Sequence, residues 1–596
     1  METRQNDIPR QAVRFTVYSE GSKISDTFGI HSIYVYRAVN RIGRCVIRIS
    51  AGDMPNADIP ESNSDTFAPC KSIDIEAGYE EEQSPIFQGF VTTHKLSVKE
   101  GNKCVLEVEC HEYTFPLTQG RKNRVFTHKT DKAVIESILG ETSGLNSDCA
   151  ATSITYNELV QYYCTDWDFI LSRADMNGLV ITTNNENIVI KPPVVSGEPV
   201  VRITYGMDLI SFEGELTAND QQTALKATGW DIAAQEIITE ECSSPSLNAQ
   251  GNMSLTTLAE ASGGSEWTLQ TEVCAGPHEL KTWGEGQLLK MGLSRIQGTV
   301  SFYGNASVIP GCLLALDGLG NRFNGNAYIG SVEHTIRRGE WITTSGMGLP
   351  YENVTEKTDV MAPAASGLLP GISGLHIGKV TKLDEDPAGE GRIQVEIPIL
   401  NSDENKIWAR VGCNWAGNRY GSFFIPDVGD EVILGFFNND PCSAVILGSL
   451  YSSCRNSPHP LTAENTIRGF VTKESMKLTF NEEDKIITLE TPGGNKVVIS
   501  DKEKGISLTD ENRNKLVMND NGITLQSARD LTLKAQANIK VEANQSINIK
   551  AQTDLKSEAL NIESKAKIAL KMQGTASAEI SASGQTTVKG AMVMIN

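Results

Sequence analysis

Read at every eighth position from Ile523, the chain gives Ile523, Leu531, Ile539, Ile547 and Leu555; two positions further on it gives Leu525, Leu533, Val541 and Ile549. Two further again come Ser527, Ala535, Ala543, Ala551 and Ala559. Eight is even, so a strand with alternating side chains presents the same residues on one face in every repeat. Polar residues fill the positions between, as in KAQANIKVEANQSINIKAQ. A coiled coil needs apolar spacings of three and four, and these aliphatics lie two and six apart, so the pattern predicts strands despite its good helix formers. One short strand per eight residues has only copies of itself to pack on. The pattern therefore predicts an intertwined triple-stranded β-helix in a homotrimer, with these nine aliphatics as its core. After Leu555 the phase slips, resuming as Leu560 with Ile568 and Ile562 with Leu570, then thins toward Ala576, Ala578, Ile580 and Val588.

Earlier in the chain the apolar runs are short and irregularly spaced. Residues 1–350 alternate β-like runs such as VRFTVYS, SIYVYRAV, CVIRIS and CVLEVEC with turns. Two stretches read as helical: DKAVIESILGETSG, with Ala133, Val134, Ile138 and Leu139 on one face, and ELVQYYCTDWDFILSRADMNG, ending at Gly178. This predicts β-barrels with a small α/β insertion around 120–200, and a surface loop from Ser243 to Ser265. Residues 351–374, including MAPAASGLLPGISG, read as a linker. From 375 to 455, five or six strand-like runs divided by turn signals have the rhythm of an OB-type barrel. The remainder, 456–596, is the expected needle. The expected fold class is mainly β.

Composition narrows the partners. The 596 residues exceed what one core serves, and the net charge of −21 argues against a nucleic-acid partner. From Asp520 onward nine Lys and Arg face seven Asp and Glu, so the acidity belongs to the front and the repeat is nearly neutral. There is no proline after Pro492 and no aromatic residue after Phe480; proline would break a continuous ladder of strands, so its absence fits one. Twelve cysteines include no C-x-x-C pair, which favours reduced thiols in a protein made in the cytoplasm. The opening METRQNDIPRQAVRFTVYSE lacks an apolar signal-peptide core, so export is expected to use another route.

The run GEGRIQVEIP, then WARV, then YGSFFIPDVGDEVILGFFNNDPCSAVILGSLY resembles the OB-barrel signature of the VgrG family, the spike proteins of type VI secretion systems, which are similar to hub and spike proteins of phage tails. QYYCTDWDFILSRADMNG also resembles the helical motif of that family's hub. The resemblance implies a two-barrel hub seated on a hexameric, Hcp-like tube protein, an OB collar and a β-helical shaft. It further implies assembly on a baseplate and secretion by the contractile machine into the medium or a target cell. A PAAR-type tip protein would dock at Met592, Val593, Met594, Ile595 and Asn596, bringing effectors or adaptors. No lysozyme-like domain separates barrel from repeat and nothing follows the repeat, so any toxic activity is expected on another polypeptide. The nearest alternative is the central spike of a phage tail or phage-tail-like particle.

Catalytic chemistry finds little support. His94, His111 and His128 lie on different predicted elements, and no histidine follows His459, so no metal, cofactor or catalytic residue is expected. Asp384, Glu385 and Asp386 read as a solvated turn rather than a calcium loop, and Glu385 with Glu390 as a chance pair rather than a glycosidase dyad. The glycines from Gly284 to Gly298 lack the pattern of a phosphate cradle. Trp408 and Trp415 are expected to bury their rings against the barrel rather than to bind sugar. The protein is expected not to be an enzyme; degradation of an envelope polymer is the less favoured reading.

Overall fold

The computed structural model describes residues 3–4, 13–79, 82–101, 103–243, 245–263, 267–272, 275–401 and 405–595. They form two compact units, dividing between Leu450 and Tyr451.

In the first unit a 14-stranded sheet dominates. Its pairing order runs Val201–Thr204, Leu313–Asp317, Gly325–Arg337, Gly29–Ala38, Arg41–Ala51, Lys103–His111, Glu82–Lys99, Ser72–Tyr79 and Arg14–Ser19, with a side branch through Glu340–Met347, Ile296–Tyr303 and Leu209–Leu216. The alternation in runs such as SIYVYRAV and CVIRIS places every second side chain inside, as Ile33 and Val35 or Ile47 and Ile49 show. Two apolar cores result. One is built on Ile33, Ile47, Ile73, Phe87 and Leu106, the other on Val201, Val300, Phe302, Leu314 and Ile329. Both cores lie within one continuous sheet; the long strand Gly325–Arg337, bulged between Ile329 and Ser331, belongs to both.

The α/β insertion packs helices Asp131–Leu139 and Asp166–Met176 on the strands Asn146–Cys149, Asn187–Lys191 and Val180–Asn184. The first third of the second expected helix is a strand instead: Thr155–Cys164 pairs antiparallel with Lys122–Thr130. The helix begins only at Thr165, whose hydroxyl accepts from the Asp168 N–H as an N-cap. The expected loop at 243–265 contains the helix Leu255–Ser262, capped by Ser254 and ended by Gly263 at positive φ. A second small α/β module was not foreseen: Ala224–Asp231, Glu236–Ser243 and Trp267–Gln270 carry the helix Pro277–Leu293. Glycines obscure this helix in the sequence, yet they are what let it pack. A Cβ at Gly286 would sit 2.7 Å from the Gly178 Cα, and one at Gly284 2.4 Å from the Cys242 sulfur.

The segment 351–374 is anchored rather than free. Val354 is buried in the insertion's core and its N–H donates to Asp175 Oδ2 at 2.7 Å, while the Ile372 N–H donates to the Asn439 carbonyl. His376–Lys382, Ile393–Glu396, Lys406–Val411, Ala444–Ser449 and Glu431–Phe436 then close a five-stranded barrel around Val380, Val395, Ala409, Val432 and Leu434. The apolar run SFFIP at 422–426, which reads as a further strand, is not among them; it lies in a loop.

In the second unit, seven five-residue strands from Ile467–Val471 to Gly522–Gln526 form an antiparallel meander, each strand paired with the next. The turns between them, NEEDK, PGGN, DKEKG and DENRN, place Lys485, Gly494, Lys504 and Arg513 at positive φ. The needle expected throughout 456–596 therefore begins with a hairpin sheet, and Ile523 and Leu525 belong to its last strand. From 527 to 595 the chain runs without strands or helices, interrupted by bends at 528–529, 536–537, 544–545 and 552–553. The bends repeat with the eight-residue step of the aliphatic columns.

Candidate trimerisation face and tip

The meander's register lines up its apolar residues. Phe470, Leu478, Leu489, Val497, Leu508, Leu516 and Leu525 are successive cross-strand partners, and so are Phe480, Ile487, Ile499, Ile506, Met518 and Ile523 one row over. Both rows lie on one face, because their members are two apart on every strand. The row between them, Gly469, Thr479, Thr488, Val498, Ser507, Val517 and Thr524, points the other way. The apolar face is concave and encloses about 840 Å³, bounded by Phe470, Leu489, Val497, Leu516 and Leu531. It is not filled by its own chain: Leu489 remains 55 % exposed. These rows escaped the sequence reading because their strands start nine or ten residues apart, and the last pair seven, rather than at a fixed period. The alternation within each run was the available signal.

The nine expected core residues, two on the last meander strand and seven beyond it, are brought to no intrachain core. Ile523, Leu525, Leu531, Leu533, Ile539, Val541, Ile547, Ile549 and Leu555 range from 52 to 74 % exposed. Among the described residues no backbone–backbone hydrogen bond forms between 530 and 595. An extended backbone with an aliphatic face and unpaired N–H and C=O groups has two unmet demands, burial and pairing, which strands from other copies meet together. After the slip the bends fall at 560, 567–568, 575–576, 583–584 and 591–592, so one step there is seven residues long. Leu560 and Ile568 sit at bends and are fully exposed, which removes them from the columns; Ile562 and Leu570, less exposed, continue them. At the last bend Met592, Val593, Met594 and Ile595 expose apolar side chains; Asn596 lies outside the described residues.

The residues weighed for chemistry are held in other ways. His94 contacts Ser62 Oγ at 2.8 Å and the Phe67 carbonyl at 3.0 Å; His111 contacts Thr92 Oγ1 and stacks on Phe115. His128 lies on the strand Lys122–Thr130 at positive φ. Asp386 accepts from the Arg392 guanidinium at 2.7 Å and from the N–H groups of Ala388, Glu390 and Arg392. These bonds, the Arg392 side chain first, hold its carboxyl well below the usual carboxylate range, so it locks a turn. Glu385 pairs with Lys382. Trp408 is half-buried, but Trp415 is 63 % exposed, contrary to expectation, because the 412–424 hairpin projects from a barrel whose core is already full.

Three family models match in order along the chain: the Alg8 N-terminal domain over residues 9–338, the type VI secretion system/phage-baseplate injector OB domain over 376–451, and the phage baseplate V C-terminal trimerisation domain over 486–556. These define a spike built from an injector barrel and a trimerising shaft. The first model alone spans more than half of the chain, which therefore belongs to that family and, with the two domains behind it, to the VgrG-like spike proteins. The chain is 36 % identical over 107 residues to the type VI secretion system spike protein VgrG5 of Pseudomonas aeruginosa, covering 16 % of this chain and 14 % of that one. Spike protein VgrG1b of the same organism is 31 % identical over 160 residues, 24 % of this chain and 21 % of that one. VgrG3 of Vibrio cholerae is 34 % identical over 96 residues, 15 % and 9 %. The chain thus spans less than a quarter of the length of these curated relatives. Among solved structures, the E. coli c3393 protein, described as a component of the type VI secretion system, is similar over 73 % of this chain and 99 % of that one, at 14 % identity and TM-score 0.35. A 43 kDa tail protein of prophage MuSo2 from Shewanella oneidensis covers 57 % and 99 %, at 12 % identity and TM-score 0.43.

Proposed function

We propose that three copies of this chain form the non-enzymatic central spike of a type VI secretion tube, driven through a target envelope by contraction of a sheath. The observation that carries this reading is the unfilled apolar face of residues 470–525 continuing into the unpaired columns 531–555. Interleaving three such chains buries the columns and pairs the backbones, giving a shaft that can unfold only by separating all three. Such a shaft transmits force, which is the whole of its chemistry. Residues 1–350 would seat on a hexameric, Hcp-like tube on the baseplate. The exposed side chains of Met592, Val593, Met594 and Ile595 support docking of a PAAR-type tip protein, on which effectors or adaptors would travel.

Light scattering on the purified full chain tests the assembly: three chain masses at micromolar concentration are expected, and a monomer would overturn the spike. Placement in the machine is tested in producing cells. The protein is expected in the medium only when the sheath can contract; recovery solely in sedimenting tail-like particles would move it to a phage-type baseplate.

A further inference from the structure

Arg295, just after the helix Pro277–Leu293, is a cation only 4 % exposed, and among the described residues no carboxylate pairs with it. A guanidinium carries five N–H donors. Three bonds engage it here, all to neutral oxygens: Nη1 donates to the Gly292 carbonyl at 2.9 Å and to Asn248 Oδ1 at 3.2 Å, and Nη2 donates to the Asn248 carbonyl at 2.7 Å. Nε–H has no acceptor among the described residues, and Nη2 has one N–H to spare. Nε and Nη2 form the edge of the fork that takes two oxygens of one carboxylate or phosphate side by side. Burial alone pushes the Arg295 pKa below its ordinary value, with no neighbouring charge acting on it. An arginine stays protonated in a protein even so, and the end of its helix offers only about half a negative charge. A buried charge left in that state is costly until a counter-ion joins it.

There is room for one. Arg295 lines a cavity of about 340 Å³ whose other walls come from residues 247–255. None of the lining residues is acidic, in a chain where 74 Asp and Glu outnumber 53 Lys and Arg. Ser254 and Leu255 on its wall open the helix Leu255–Ser262, so the positive end of that helix borders the same space. At the rim, Asn252 Oδ1 accepts from Arg322 Nη1 at 2.7 Å, which holds a second, exposed cation beside the opening. The loop that makes the walls is fixed before any ligand arrives. Asn248 Nδ2 donates to the Asn326 carbonyl at 2.7 Å, the Asn326 N–H to the Ala249 carbonyl at 2.7 Å and the Gly251 N–H to the Asn324 carbonyl at 2.8 Å. Gly251 stands at φ 69°, where a Cβ would fall 2.5 Å from the Arg322 carbonyl oxygen.

We propose that this cavity binds an oxyanion, a carboxylate or phosphate group held on the Nε–Nη2 edge of Arg295. The ligand supplies the negative charge that the chain withholds from the site, and it joins the end of one helix, the start of another and the loop between them. An occupant of this kind stabilises the front of the molecule in proportion to its concentration. The site lies within residues 247–295 and does not depend on how many copies assemble.

Equilibrium dialysis of the full chain against radiolabelled inorganic phosphate and, separately, radiolabelled acetate, at fixed ionic strength, tests it. Saturable uptake of a single anion per chain is expected. Uptake of phosphate alone makes the ligand a phosphate group, and uptake of acetate alone makes it a carboxylate. Arg295→Lys keeps the charge but loses the fork, and should weaken uptake roughly tenfold. Ala249→Asp places a carboxylate on the cavity wall at an exposed position, leaves the bonds of Arg295 in place and should abolish uptake. Because that position is exposed, this variant decides the matter even where Arg295→Lys fails to fold. A parent protein that takes up neither anion overturns the proposal, leaving the cavity to water and Arg295 to closing its helix. Uptake unchanged in Ala249→Asp also overturns it, since the anion would then sit elsewhere.

Discussion

Ile47 and Ile547 are the same side chain in the same kind of alternating strand pattern, yet the first is fully buried and the second is 52 % exposed. The difference lies in where each pattern finds its opposite surface. In residues 13–450 strands of varied length fold back through long connections, so one chain supplies both sides of each core. In residues 467–595 every strand is short and each follows its neighbour, which makes a wide sheet or a bare ladder with one apolar face and no layer to cover it. Alternation decides which face is apolar, and chain topology decides whether the cover comes from the same molecule.

The largest expected effect breaks the shaft while sparing the front. Leu489→Glu with Leu508→Glu puts two carboxylates per copy into the meander's apolar face. Each carboxyl must take up a proton to be buried there, and a neutral polar group buried without a partner costs about 2 to 7 kcal/mol, counted three times over in a trimer. Light scattering should then show single chains in place of trimers. Because all seven tryptophans lie before the meander, near-ultraviolet circular dichroism should still report a folded front. A trimer surviving this change would mean that the copies are held elsewhere.

The converse experiment damages the front and leaves the shaft trimeric. Glu112 is fully buried, accepting from Arg37 Nε at 2.7 Å and from the N–H groups of Gly43 and Asn185. Glu112→Ala strands the Arg37 cation, itself 4 % exposed, at a cost of about 3 to 5 kcal/mol. Denaturant unfolding followed by tryptophan emission should register that loss while the mass of the assembly stays unchanged.

The two regions were not equally legible. The octads gave the eight-residue step that the bends at 528–529, 536–537, 544–545 and 552–553 also follow, because identical short units leave little for tertiary context to alter. The OB barrel was readable from its runs and turns at Gly429 to Asp430 and Asn438 to Pro441. What escaped depends on contacts distant in sequence. Thr155–Cys164 looks helical until Lys122–Thr130 is there to pair with it, and Pro277–Leu293 looks too glycine-rich until Gly178 and Cys242 are seen pressing on it. In the meander, the nine- and ten-residue steps hid an apolar face that only register assembles. Trp415 was misread for a similar reason: the barrel core closes without it.

A smaller effect separates the regions by pH. His334, buried beside Trp341 with Nδ1 against Thr343 Oγ1, is lowered from the ordinary 6.5 to about 3, by burial first and by the Arg37 charge second. The unfolded chain takes up this proton near pH 6.5 and the folded chain only near 3, so its contribution to stability is full above 6.5 and is lost as pH falls between those values. The slope is about 1.4 kcal/mol per pH unit for this one group. Melting of the front, followed between pH 6.5 and 4, should be less steeply pH-dependent in His334→Gln than in the parent. The shaft has no histidine after His459 to supply such a slope.

The finest test concerns single positions across the phase slip. Taken eight apart, Leu560 with Ile568 and Ile562 with Leu570 offer two columns after the slip, whereas the seven-residue step puts Leu560 on a bend, fully exposed, and keeps Ile562 in line. Leu560→Lys should therefore leave the thermal stability of the trimer within about 0.5 kcal/mol, as surface changes do. Ile562→Lys places three ammonium groups where three copies converge and should lower it measurably. Equal effects at the two positions would mean that both columns face the axis after the slip, and that the bend at 560 does not turn Leu560 away from it.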